Sequence, residues 1–222
     1  MADENIDILD IVEEPGPDLR EDQLLKTIWL QPRQTLRYIF KNCPEKFLWP
    51  LLIIGGMVSA LGNSAERGFP FGSSGLLILL FALIGGGILG PVLNMVFAGI
   101  LRFVGGLLGG KAKYREVLIT VAWSLVPTIA SVVLIAVQLI YFGTDLFTGD
   151  LDLTSSVAIA LATGIGITEL ALGIWTIVIM VIGLSEANGF GIGRAILNLV
   201  IPFLAIVIPL AIIAFILGDL FS

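Results

Sequence analysis

From Leu76 to Leu108 the chain carries one charge, Arg102, in 33 residues. A helix of that length reaches roughly 50 Å, against a bilayer hydrocarbon core of about 30 Å. Gly85-Gly86-Gly87 and Gly90-Pro91 interrupt the run, which leaves two readings. It is one long, kinked span that emerges from the membrane, or two stubs that meet at Gly90-Pro91. The choice sets the sidedness of everything that follows. With 57% hydrophobic and 14% charged residues, the chain cannot present an ordinary water-facing surface, so its main solvent is lipid.

Positive charge decides between the readings. Taken as one span, the segment belongs to a set of five, about 47–62, 76–108, 117–142, 164–184 and 195–217. Arg20, Lys26, Arg33, Arg37, Lys41, Lys46, Arg102, Lys111, Lys113, Arg115 and Arg194 then share the N-terminal side, with Arg67 alone opposite. Taken as two stubs, each falls short of a bilayer and the Lys111 cluster is sent outside. The expectation is an all-α polytopic membrane helix bundle of five transmembrane helices, N-terminus cytoplasmic and C-terminus outside. The chain begins Met1-Ala2-Asp3-Glu4 with no basic start, so the first span is expected to act as its own insertion signal.

Three regions precede and build that bundle. Residues 1–22 hold nine carboxylates against Arg20, around Pro15-Gly16-Pro17, and read as an acidic disordered tail. In 23–46 the balance reverses. Pro32 suits a first helical turn, Arg33, Arg37 and Lys41 follow at four-residue steps, and Leu36, Ile39 and Phe40 take another face. With Trp29 before it, this reads as an N-terminal cytoplasmic amphipathic helix lying on an anionic membrane surface. The alternative is a soluble helix packed on another cytoplasmic loop. Residues 47–222 form the membrane domain. Its second basic element, Lys111-Ala112-Lys113-Tyr114-Arg115-Glu116, falls on the same side as the amphipathic region. Trp29, Arg33, Arg37, Lys41, Lys111, Lys113 and Arg115 are therefore the candidate contacts to a membrane surface or a protein partner.

Small residues recur at four-residue spacing, which lets helix backbones approach closely. Gly55 with Ser59 and Gly56 with Ala60 do so on the first span, and Gly86, Gly90, Asn94 and Ala98 on the second. Intramembrane polar candidates are Glu169, Gln138 and Asn198. Ser124, Pro127, Ser131 and Gln138 form one polar stripe, and Pro127 is expected to free the Trp123 carbonyl for Ser124 or a neighbouring helix. Glu169 suggests transport or a proton relay by default. The competing reading, a carboxylate snorkelling at the outer end of the fourth span, is the favoured one.

Several chemistries are excluded. Histidine is absent, which removes histidine triads, His-Glu-x-x-His zinc sites and histidine-ligated haem. Cys43 is the single cysteine, so no intramolecular disulfide forms. Gly189-x-Gly191-x-Gly193 follows a span instead of a strand and lacks the Lys-Ser/Thr of a phosphate loop. No catalytic residue, metal, cofactor or nucleic-acid partner is expected. The expected partners are membrane lipids and an unidentified protein, and the small-residue faces also allow homo-oligomers.

The order of parts carries a resemblance. Trp29-Leu30-Gln31-Pro32-Arg33-x-Thr35-Leu36 precedes a short first span, and a Gly-rich second span runs into Leu107-Leu108-Gly109-Gly110-Lys111-x-Lys113-Tyr114-x-Glu116. Ala122-Trp123-Ser124-Leu125-Val126-Pro127, Ile174-Trp175 and Leu184-Ser185-Glu186 follow. This resembles the Yip domain family of five-span, Ypt/Rab-interacting membrane proteins over roughly 25–217, and is most similar to bacterial members. The resemblance implies a five-span fold and a multi-pass address in a bacterial cytoplasmic membrane. The Asp-Leu-Tyr-Gly type motif of eukaryotic members has no counterpart, since Asp145-Leu146-Phe147-Thr148-Gly149 departs from it and falls on the opposite side. A link to Rab-type GTPases is therefore not carried over. The leading expectation is a non-enzymatic membrane protein that organises membrane or recruits partners. The alternative is a small transporter or lipid-handling protein, suggested by Pro127, Pro202, Pro209 and the intramembrane polar residues.

Overall fold

A computed structural model of the chain describes residues 20–67, 75–147 and 153–220. The expected acidic tail lies, for residues 1–19, outside the described residues, as do 68–74 and 148–152 of the two loops expected on the opposite side. Among the described residues the regular structure is helical. It comprises α1 (Leu24–Leu30), α2 (Pro32–Asn42), α3 (Leu48–Arg67), α4 (Gly75–Leu107), α5 (Tyr114–Ser124), α6 (Val126–Ala130), α7 (Val132–Phe142), a 3-10 turn (Gly143–Phe147), α8 (Ser156–Asn188) and α9 (Ile192–Leu220). Among the described residues four stretches are long and apolar enough to cross a membrane: Leu48–Ala65, Gly75–Leu107, Tyr114–Phe142 and Ser156–Asn188. A shorter apolar stretch, Ile192–Ala205, opens α9.

The organising stretch is one uninterrupted helix, α4, with Pro91 inside it. Proline withholds one N–H from the ladder and presses on the preceding turn, and here that turn is Gly86-Gly87, which has no side chains to displace. Asn94 fits an apolar span because its Nδ2 donates to the Gly90 carbonyl at 2.8 Å.

Helix limits differ from the sequence expectation in three places. The first span does not stop near Gly62 but runs to Arg67. Asn63 Nδ2 donates to Ser59 O at 2.7 Å and Ser64 Oγ to Ala60 O at 2.9 Å, so the polar residues satisfy themselves on the helix. The fourth helix is continuous from Ser156 instead of having a separate lead-in, and it continues through Ser185-Glu186. Its turn begins at Gly189, whose left-handed φ of 68° makes a glycine C-cap. The third span breaks into α5, α6 and α7 around Leu125 and Ser131. Ser124 does not serve the Trp123 carbonyl, because its hydroxyl donates to Val121 O at 2.7 Å.

Burial is concentrated at the end that carries α1 and α2. Leu24, Ile28, Leu36, Ile39, Leu52, Leu101, Ile119, Trp123, Ile179 and Leu184 are buried in one cluster there. A smaller cluster of Val58, Leu61, Ile78, Ala82, Ile135, Leu146 and Phe147 closes the opposite end. Entry to α3 is a tight corner at Phe47, which adopts a left-handed φ of 59°. Its ring meets Trp123 edge-on with centroids 6.1 Å apart, and the Lys46 ammonium sits 5.7 Å from its centroid.

Candidate functional site

The apolar stripe of the amphipathic region is spent on protein. Leu24, Ile28, Leu36 and Ile39 are fully buried, with α2 lying against α5 and the end of α8. This corrects the picture of a helix resting on lipid by that face, since the hydrophobic area is better used in covering the bundle end. Thr35 Oγ1 fixes the elbow between α1 and α2, lying 2.9 Å from Gln31 O and 3.0 Å from Thr27 Oγ1. Trp29 is half-buried against the same core.

Two of the candidate cations share one anion. Arg33 Nε lies 3.3 Å from Glu186 Oε1, and Arg37 Nη2 lies 3.0 Å from Glu186 Oε2. The carboxylate is only 14% exposed, so solvent screens this clamp less than an open surface pair. Arg115 pairs with Glu45, Lys46 pairs with Glu21 at 2.6 Å, and Lys111 N donates to Asn188 O at 3.2 Å. These ties bring residues 20–46, 111–116 and 186–194 to one end of the bundle. Lys26, Lys41, Arg102, Lys111, Lys113 and Arg194 are exposed.

Glycines set the closest helix contact. A Cβ on Gly86 would lie 2.6 Å from Gly56 O and 2.7 Å from the Ala60 Cβ, and one on Gly56 would lie 2.7 Å from Gly90 Cα. The backbones of α3 and α4 therefore touch at Gly56, Gly86 and Gly90. Gly55 instead faces Leu125 of the α5–α6 junction, and Ser59 and Asn94 sit beside the crossing along a groove. Ala98 is fully buried further along α4.

The intramembrane polar residues separate into two places. On α8, Ala158, Ala162, Ile165, Glu169, Leu172, Thr176 and Ile179 recur at three- and four-residue steps and are buried or half-buried, while Ile167, Leu170 and Ile174 are exposed. Glu169 thus belongs to the bundle-facing stripe. It borders a cavity of about 240 Å³ with Ser59, Asn63, Thr128 and Ser131, and a second of about 150 Å³ with Gln138 and Gly62. Asn198 lies elsewhere, near the α1–α2 end. It is fully buried, both amide atoms lack a partner among the described residues, and its Nδ2 points at Gly105 alongside Asn188 Oδ1.

Sequence reasoning missed Glu186, Glu45, Thr128, Thr176 and Asn188. Glu186 had a visible signal, a single carboxylate placed among basic loops. Thr128 and Thr176, 3.3 Å apart across α6 and α8, had none, because their pairing depends on the packing of distant segments.

Comparison with curated proteins gives no match, and neither does comparison with solved structures. A family model does match, the Yip1 domain, over residues 26–213. That range takes in α2 through most of α9, and with the apolar helices it makes this a multi-pass membrane protein. The chain belongs to the Yip1 domain family.

Proposed function

We propose that this protein is a non-enzymatic membrane scaffold that recruits a protein partner to its basic end, which faces the cytoplasm. One observation carries the reading: Glu186 holds Arg33 and Arg37, so α1–α2 forms a fixed cap, while Lys41, Lys111, Lys113 and Arg194 remain exposed. Fixed cations gathered from several segments favour an acidic partner surface and speed its encounter. The positive-inside rule supports the sidedness.

The test is co-purification from native membranes in mild detergent. The expected result is a partner retained by the wild type and by Glu169→Gln, and lost when Lys41, Lys111, Lys113 and Arg194 are together changed to Gln. Equal recovery with the fourfold variant of Lys41, Lys111, Lys113 and Arg194 would remove the basis for recruitment by this face.

A further inference from the structure

Two spaces of different chemistry meet at Ser59 and Asn63 on α3. On one side is the cavity of about 240 Å³ bordered by Thr128, Ser131 and Glu169, extended past Ile135 and Gly62 to Gln138. On the other is a groove of about 570 Å³ between α3 and α4, walled by Ala60, Ala82, Gly85, Gly86, Leu89 and Gly90. Ser59 and Asn63 line both. The groove follows α4 from Phe81 to Asn94. At 1.5 Å per residue that is about 20 Å, enough for the hydrocarbon depth of one leaflet. Its Asn63 end lies towards the end of α3 away from the α1–α2 cap, where a headgroup of that leaflet would sit.

We propose that these two spaces form one binding site for an amine-bearing phospholipid, with the headgroup ammonium at Glu169 and an acyl chain in the α3–α4 groove. An apolar helix from a second copy could fill the groove, but it would leave the Glu169 cavity without a ligand. The few polar groups of the cavity, Glu169 first among them, select the headgroup. Asn63 Nδ2 donates to Ser59 O and Ser131 Oγ–H to Thr128 O, and both residues line the cavity with side-chain oxygens that can still accept. Glu169 adds a carboxylate. It has a further interaction in the structure, yet a carboxylate offers about four acceptor positions. Among the described lining residues there is no Lys or Arg. A carboxylate on such a lining fits a ligand with three N–H donors and a positive charge, and disfavours a headgroup carrying phosphate with hydroxyls alone.

Binding is measured with the full chain in mild detergent, using phosphatidylethanolamine labelled on its acyl chain and free at its amine. Saturable binding is expected, with phosphatidylglycerol of the same chains competing about tenfold more weakly, as the loss of a charged hydrogen bond implies. Gly62→Leu fills the Glu169 cavity and Gly85→Leu fills the groove. A Cβ at either position meets nothing within 4 Å, so each leucine starts into open space, and a thermal melt verifies that both variants retain the fold. Each is expected to weaken binding by about tenfold or more. Glu169→Gln should erase the preference for the amine headgroup, whereas Gly85→Leu should weaken both lipids alike. Equal competition by phosphatidylglycerol, or unchanged binding in both Leu variants, overturns the proposal.

Discussion

Arg37 on α2 donates from Nε to Glu186 Oε2 on α8 at 3.1 Å, across 149 positions of sequence. The other carboxylate oxygen faces Arg33, one helical turn earlier. One anion thus offsets part of the repulsion between two arginines at four-residue spacing. It also fixes where the α1–α2 cap sits on the bundle.

Glu186→Gln is expected to loosen that cap. The arginines are half or more exposed, so the two pairs together contribute about 1 kcal/mol. The readout is amide hydrogen exchange over residues 24–42, which should quicken while exchange in α5 stays unchanged. Unaltered protection of α2 would show that apolar burial alone holds the cap.

Gly56→Ala is expected to destabilise the protein by about 1–3 kcal/mol, because the new methyl falls on the α4 backbone and the helices must separate. Gly85→Ala, one residue from the contact with open space at its Cβ, should be neutral or stabilising by up to about 1 kcal/mol. Thermal unfolding in one detergent compares the two. Equal effects would place the α3–α4 contact elsewhere.

Gly105→Ala should be costly for a different reason. Its Cβ would lie 2.8 Å from Asn188 Oδ1 and 3.0 Å from Asn198 Nδ2, where α4, α8 and α9 meet. Adding Asn198→Ala opens that space, so the double variant should recover part of the loss by about 1 kcal/mol or more. Strictly additive losses would argue against the contact.

Cys43 reports on the cap through pH. Burial, and then the Glu21 carboxylate, push its thiol above the ordinary range, while Lys46 pulls the other way. A raised acid favours the neutral form in the fold. Its contribution to stability is therefore present below the unfolded thiol value, about 8.5, and is lost as pH rises through the folded value. Maleimide labelling of Cys43 should be slow at neutral pH and speed up at a lower pH in Glu21→Gln. A labelling profile that Glu21→Gln leaves in place would contradict the link.

Much of the architecture is readable from the chain because lipid imposes strict rules. Long apolar runs become helices, and counting Lys and Arg on either side favours α4 as one helix over two stubs. The four-residue steps from Gly56 to Ala60 and from Gly86 to Gly90 are equally visible, although spacing alone does not say that Gly55 faces Leu125. What the chain conceals is which partner an amphipathic face chooses. The stripe of Leu36 and Ile39 suits lipid and protein equally well, and only the packing of α2 on α5 and α8, which buries both side chains, separates them. The cavity at Glu169 is hidden for a similar reason: its walls come from α3, α6, α7 and α8, and no local pattern joins them.

The proposed function requires the capped, basic end to face the cytoplasm, and thiol labelling tests this directly. On a Cys43→Ser background, Lys111→Cys and Arg194→Cys mark that end, and Ser156→Cys marks the opposite one. In sealed right-side-out vesicles, a membrane-impermeant maleimide should label Ser156→Cys at once and the other two only after permeabilisation. Labelling of Lys111→Cys and Arg194→Cys in sealed vesicles, with Ser156→Cys protected, would invert the protein and contradict the account.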